Sequence, residues 1–389
     1  MRTISSRAHK PTVAGVALAL LLTGCGGGGD ESSGSGGTDE LLQVGVVDDL
    51  TGAVAIAGQA DVCGIKIAAD ALDAGSLSGR KAEITVEDGQ STPAVAAQAV
   101  TQLTGQGINL FVGGSSTSTV LSGLPILNDA GALSTGGTTK ALEILEQGEL
   151  VVRLNGDNTT DAEALASYVN DDLQPKSVAF VAAQGAYGEG AVASISAALD
   201  PGIEVVETQF TPGDSTDYRS VLTTVRAAQP DAVIWLIFGN AQPVAFMREY
   251  KQQGLEATSV SGPGLLTASV VQSAGADADG VVGMDVWAPL IENAANDQLK
   301  EDWDAYRGDH EECKDKPLDK QVALSYSQLA LLAAAAEEAG SSDPAEIHAT
   351  MLEGSWELPQ GTVEFSENGQ AKVTYSRYVA EDGELVSQG

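Results

Sequence analysis

The amino-acid sequence predicts an α/β protein built from two parallel-sheet lobes, and three of its features carry that prediction. From Gln43 onward, short β-branched apolar runs alternate with segments whose apolar residues recur at helical spacing. The alternation comes in two successive series, with the chain leaving the first around residues 151–157, so two sheets are expected in place of one. The end of the chain changes character: turn signals at Asn368-Gly369 and Asp382-Gly383 mark antiparallel hairpins. With 389 residues and 43% apolar composition, the chain is long enough for two domains and a sizeable core.

Each element has its own local reason. Residues 43–47 and 82–87 are strands; between them Val62, Ile65, Ala69 and Leu72 share one helical face that Gly75 ends. Pro93 opens a second helix, with Val95, Ala99, Val100 and Leu103 along one side. A strand over 108–112, an apolar helix over 120–126 and a strand over 132–134 complete the first series. The second series runs helix 161–170, strand 177–182, helix 188–199, strand 204–210, helix 216–228, strand 232–238 and helix 241–254. The apolar run after Pro230-Asp231 suits a strand buried on both faces. A strand over 281–286 turns the chain back toward the first lobe, and helices over 293–307 and 325–340 read as packing elements. Strands over 362–365 and 372–380 close the chain.

Charge and cysteine content narrow the function. The formal charge is −34, and −37 without the first 24 residues, which carry Arg2, Arg7 and Lys10. That field repels phosphate backbones and anionic lipid surfaces, so nucleic acid is not an expected partner. Residues 1–24 have a basic start and an apolar stretch over 12–22 that is too short to span a bilayer. Leu22-Thr23-Gly24-Cys25 resembles the lipobox of bacterial lipoproteins, which implies cleavage before Cys25 and a lipid on its thiol. The Gly/Ser-rich acidic stretch that follows, residues 25–41, is expected to be a tether holding an extracytoplasmic domain to the cell membrane. Cys63 and Cys313 remain, and an oxidising compartment favours pairing them. His9, His310 and His348 are scattered, so neither a metal centre nor a histidine-based triad is expected, and no cofactor is called for.

The candidate site centres on residues 109–119, NLFVGGSSTST. A short buried strand runs into Gly113-Gly114 and then into the hydroxyl run Ser115, Ser116, Thr117, Ser118 and Thr119, ahead of a helix. This places free N–H groups and hydroxyls at the carboxyl edge of a parallel sheet, where open α/β sheets bind ligands and helix starts attract anions. Helix capping by the same hydroxyls is the alternative reading. Thr135-Gly136-Gly137-Thr138-Thr139 is a second loop of the same kind.

A family resemblance rests on Val44-Gly45-Val46-Val47, Leu50-Thr51-Gly52, Ala57-Gly58-Gln59, Gly64 and Leu77-Ser78-Gly79-Arg80. It continues through Glu87-Asp88, Tyr187-Gly188-Glu189-Gly190, residues 210–217 (FTPGDSTD), Gly254-Leu255 and residues 365–369. In order and spacing these resemble the branched-chain amino-acid binding proteins, the type I periplasmic solute receptors of ABC importers. The resemblance implies two doubly wound parallel-sheet lobes joined by a three-crossover hinge, with ligand held in the cleft between them. It assigns residues 42–156 plus 287–356 to the first lobe and 157–286 plus 357–389 to the second. Ser116, Thr117 or Ser118 would bind a ligand carboxylate, with Thr117 favoured; Gly136 and Thr138 would add contacts. Tyr187 would close over the ligand from the second lobe, and Phe238 lies near another aromatic contact. Cys63 and Cys313 would both belong to the first lobe, pinning a loop there as a disulfide.

Departures from the family bear on the ligand. Amino-acid receptors of this family carry an acid for the ligand's ammonium in a segment resembling Gly262-Pro263, and Gly264 stands next here. Either another acid substitutes, with Asp285, Asp48 or Asp49 the candidates, or the ligand lacks that charge. Asp48-Asp49 replaces a family segment with Pro, and Ala57 stands where many members have an aromatic. A small carboxylate or amide is expected, with branched-chain amino acids the other option. A permease is the implied partner, and a monomer is expected; a sensory receptor of the same fold is the alternative. An enzyme is not expected, since Gly113-Gly114 is no dinucleotide fingerprint and no Gly-x-Ser-x-Gly elbow is accompanied by a suitable histidine.

Overall fold

The computed structural model describes residues 41–52, 54–239 and 241–388. The expected signal segment, Cys25 and all of the tether but Leu41 lie outside them. The first lobe begins with β1 (Leu42–Asp48), α1 (Ala55–Ala74), β2 (Ala82–Asp88), α2 (Pro93–Gly105) and β3 (Leu110–Val112). It continues with α3 (Thr117–Asp129), β4 (Leu133–Thr135), α4 (Glu143–Gln147) and β5 (Val151–Val152). The strands form one parallel sheet in the order β2-β1-β3-β4-β5. β1 lies inside the sheet between β2 and β3, and Val44 and Val46 on it are fully buried. Its burial follows from its neighbours on both edges and helices on both faces.

The second lobe opens with α5 (Asn158–Ser167), a π-helical turn over Tyr168–Leu173, β6 (Ser177–Ala183), α6 (Ala186–Ala198) and β7 (Glu204–Thr211). Then come α7 (Arg219–Ala228), β8 (Ala232–Leu236), α8 (Ala241–Gln252), β9 (Thr258–Ser261), α9 (Ala268–Ala274) and β10 (Val282–Asp285). β8 is buried along its whole length, as its uninterrupted apolar sequence predicts. Beneath it Trp235, Phe246, Tyr218 and Tyr250 form an aromatic layer, with the Tyr218 and Phe246 rings edge to face at 5.5 Å. β9 escapes a reading from apolar periodicity because its buried positions include Ser259 and Ser261; Ser259 Oγ accepts from the Trp235 indole at 3.2 Å.

The chain then recrosses. α10 (Ala294–Arg307), α11 (Glu311–Lys314), α12 (Lys320–Ala339), α13 (Pro344–Glu353), β11 (Trp356–Leu358) and β12 (Gly361–Val363) all join the first lobe. α12 lies against α1 and is buried over most of its length. β13 (Ser376–Glu381) and β14 (Glu384–Ser387) complete the second sheet, β14-β13-β10-β9-β8-β6-β7, with β13 antiparallel to both β10 and β14. β10 pairs with β9 and β13 in the second sheet, and the chain returns to the first lobe only after it. One segment differs from the sequence reading. Residues 357–371, expected in the second lobe, pack with the first because Leu358, Val363, Phe365 and Ala371 bury in its core. Arg153 donates its backbone N–H to the Gly369 carbonyl at 2.8 Å, which ties this segment to the edge beyond β5.

Three crossovers therefore link the lobes, after Arg153, after Val286 and before Ser376. Arg153, only 1% exposed, binds the first to the third: Nε and Nη2 reach Gln370 Oε1 at 2.8 and 2.6 Å. Gln370 in turn donates to the Asn155 carbonyl at 2.8 Å. Among the described residues no helix is long and apolar enough to cross a membrane.

Cys63 on α1 and Cys313 on α11 are joined as a disulfide across 250 residues of sequence. The bridge fastens a four-residue helix to a twenty-residue one. Replacing both cysteines by serine is expected to lower unfolding free energy by about 2–4 kcal/mol, the usual yield of a bridge closing a long loop. Denaturant melts of the double variant and of the reduced wild type check this.

Candidate ligand-binding cleft

The two glycine and hydroxyl loops lie side by side at the carboxyl ends of β3 and β4, and buried side chains hold them there. Asp48, the last residue of β1, accepts from Gly114 N–H at 2.8 Å and from Ser115 N–H and Oγ at 3.2 and 2.5 Å. Gln328 on α12 takes the neighbouring Gly113 N–H at 2.9 Å and the Thr135 hydroxyl at 2.7 Å on a single oxygen. Gly137 has φ +68°, and a Cβ there would stand 2.0 Å from the Gly114 carbonyl oxygen. Only a glycine lets the second loop lie this close to the first, with Thr138 N–H donating to Gly114 O at 3.2 Å.

Ser115 and Thr119 of the hydroxyl run are taken up by Asp48 and Asp49, and the middle of the run remains. Ser116 stands at the N-cap of α3, yet its side chain makes no capping bond. Ser116 Oγ and Ser118 Oγ lie 3.2 Å apart, and Thr117, first residue of the helix, is half-buried. Thr117 lines a cleft of about 660 Å³ together with Leu121, Lys140 and Leu142 of the first lobe and Asn158 and Tyr187 of the second. Glu143 and Glu146 stand exposed at its mouth. The Tyr187 ring meets Phe238 edge to face at 6.0 Å, and Phe238 is 44% exposed. Thr117 and Tyr187 thus line one cleft, and Phe238 packs against Tyr187.

The remaining expected residues are placed otherwise. Gly136 is buried, its N–H bonded to the Val152 carbonyl inside the first sheet. Thr138 is buried too: its hydroxyl lies 3.3 Å from Asp61 Oδ2 and accepts from Gln321 at 2.9 Å, while its carbonyl accepts from Asn155. Asp49 serves the fold, accepting from Ser91 N–H at 2.8 Å and Thr119 Oγ1 at 3.2 Å. Asp285 faces Lys320, with Nζ and Oδ1 3.3 Å apart. A second pair, Lys140 with Asp161, also takes its cation from the first lobe and its anion from the second. Tyr375 donates to the other oxygen of Asp161 at 2.6 Å. Periodicity gave no sign of Asp61, Lys140, Lys320 or Gln328. Lys140 alone had a local signal, as the first charged residue after the second hydroxyl loop.

Burial dominates the electrostatics here. Desolvation lifts the carboxyls of Asp48, Asp61, Asp285 and Asp319 above their ordinary value of 3.8; the neighbouring Asp48 charge adds to the rise at Asp61, and Lys320 offsets it only in part at Asp285. The folded protein therefore binds protons that the unfolded chain has already released. Stability from these groups is present at and below the ordinary carboxylate range and is lost as pH rises through the folded values. Asp88 and Glu312 are shifted downward, so their contribution is lost only below that range. The melting temperature is expected to rise as pH is lowered from about 7 toward about 5. Asp61→Asn should flatten that rise, as scanning calorimetry across the range would show.

Comparison with known proteins agrees with this architecture. A family model described as periplasmic binding protein matches residues 42–383. The Leu/Ile/Val-binding protein BraC3 of Rhizobium johnstonii is 28% identical over 355 residues, covering 89% of this chain and 93% of that one. Among solved structures, the branched-chain amino acid transporter substrate binding protein LivJ of Streptococcus pneumoniae, in complex with isoleucine, superposes with TM-score 0.75 at 19% identity, covering 90% and 98% of the two chains. An ABC transporter solute binding protein of R. palustris, in complex with benzoate, gives 0.71 at 22% identity over 90% and 96%. Two parallel-sheet lobes, three crossovers and a family match over nearly the whole described chain lead to one assignment: this chain belongs to the type I periplasmic binding proteins, in the branched-chain amino-acid transporter family.

Proposed function

We propose that this protein is the extracytoplasmic substrate-binding component of an ABC importer, anchored through Cys25, and that it captures a small polar ligand by closing its lobes. The observation that carries the reading is the meeting of Thr117 and Tyr187, one from each lobe, on a single cleft. The first turn of α3 supplies the Thr117 hydroxyl and the positive end of a helix to a ligand carboxylate or amide oxygen. Tyr187 and Phe238 supply an apolar lid from the other side. Closure buries the ligand and forms the two-lobed surface that a permease would read. The relatives named for leucine, isoleucine and valine support an amino acid or a close isostere as ligand. The fold itself does not choose: one structural neighbour holds isoleucine and another benzoate.

Titration calorimetry with leucine, valine, short amides and aromatic acids tests the reading. Thr117→Val and Tyr187→Ala are each expected to weaken the best ligand on the order of tenfold or more, the yield of a hydrogen bond to a charged group or of a buried aromatic contact. Unchanged affinity in both variants would move the site elsewhere. For the anchor, Cys25→Ser should shift the protein from the membrane fraction to the soluble one, read by fractionation of expressing cells.

A further inference from the structure

We propose that Lys320, Asp285 and Gly264 form a lock at the hinge that holds the two lobes closed by charge balance, whichever ligand the cleft takes. The assignment rests on the lobes opening and closing, as the proposed function requires.

The three residues come from both lobes. Lys320 is the first residue of α12, which packs against α1 in the first lobe. Asp285 ends β10 in the second sheet, directly ahead of the second crossover. Gly264 follows β9 of the same sheet and donates its N–H to the Met284 carbonyl at 2.8 Å, which lays it against β10. Lys320 Nζ stands 3.3 Å from Asp285 Oδ1, with the two side chains only 13% and 5% exposed. A Cβ on Gly264 would lie 2.2 Å from that ammonium and 3.2 Å from Asp285 Oδ2. The second lobe thus leaves a seat for an ammonium group, and the first lobe fills it.

The lysine needs this partner. A helix start is the positive end of its dipole, where a cation is disfavoured, and burial of the ammonium adds a desolvation cost. Lys140 and Asp161 repeat the arrangement beside the first crossover, again with the cation from the first lobe and the anion from the second. Lys140 also acts through space on Asp285, so the two pairs feel each other's charge.

Opening the lobes returns Lys320 and Asp285 to water, where each charge is solvated. Closing desolvates both, which is tolerated only while each neutralises the other. With the lysine gone, closing strands a buried carboxylate; with both replaced by apolar side chains, no charge is stranded. Ordinary packing behaves differently, since each side chain removed would then weaken the closed form further.

The test is pulsed electron paramagnetic resonance between nitroxides at Thr101→Cys on α2 and Ser194→Cys on α6, both exposed positions. The full chain carries Cys25→Ser for this purpose, Cys63 and Cys313 being bridged, and no ligand is added. Lys320→Met is expected to lengthen the distance between the lobes by more than about 2 Å. Gly264→Ala keeps both charges but pushes the ammonium off Asp285, and should lengthen it likewise. Lys320→Met with Asp285→Leu should return the wild-type distance. An unchanged distance in Lys320→Met or in Gly264→Ala overturns the lock, and so does a double variant as open as the single one. Should Lys320→Met not fold, as judged by its circular dichroism melt, Gly264→Ala decides in its place. Ligand loss in the Thr117 and Tyr187 variants, with lobes indifferent to Lys320, would end this assignment and leave the cleft reading standing. Lobes that open in Lys320→Met, with ligand affinity unchanged in both cleft variants, would do the reverse.

Discussion

The structure depends on one buried carboxylate, Asp48, and on the backbone it satisfies. A glycine loop at the end of a parallel strand presents N–H groups with no strand to receive them, and leaving such donors unmet costs more than making the bond gains. Asp48 meets two of them from below and Gln328 a third from α12. With those donors satisfied inside the lobe, the loop is held in place, and Thr117 at the start of α3 lines the cleft. The cost appears as the raised pKa of Asp48, since desolvation outweighs the bonds it accepts.

Cation placement follows from the same scarcity of compensating charge. The sequence has 20 lysines and arginines against 54 acids, so a buried cation is a deliberate expense. Arg153, Lys140 and Lys320 all lie where the lobes meet. Arg153 ties the first crossover to the third through Gln370, which restricts how the strands of the hinge move relative to one another. Lys140 and Lys320 each reach an aspartate of the opposite lobe. Pairs of this kind cost desolvation when buried and are strongly missed when one partner is removed. They therefore tie the two lobes to each other through charge as well as through the crossovers.

Much of the fold was legible because its signals are local. Apolar runs bounded by turns located β1, β2, β6, β7 and β8, and Pro93 and Gly75 marked helix ends. What escaped was either short or polar: α4, β5, the serine-bearing β9, and α13, although Asp343-Pro344 was a start signal there. The closing segment was misplaced because Leu358, Val363 and Phe365 look equally apolar whichever lobe buries them. Thr117 and Tyr187, which line one cleft, were singled out by loop chemistry and family resemblance. Gly136 and Thr138 had the same loop chemistry, yet their polar groups turn inward.

By itself, then, the sequence determined the two-lobed α/β class and the hydroxyl loop after the third strand, because strands, turns and the loop are each written within a few neighbouring residues. Only the tertiary structure decided which carboxylates are engaged, which cations span the lobes and which loop faces inward. Several of those outcomes hinge on residues separated by more than a hundred positions, such as Asp61 with Ser325 and Gln328 with Gly113. Charge pairing and desolvation act through space, and no pattern along the chain records them.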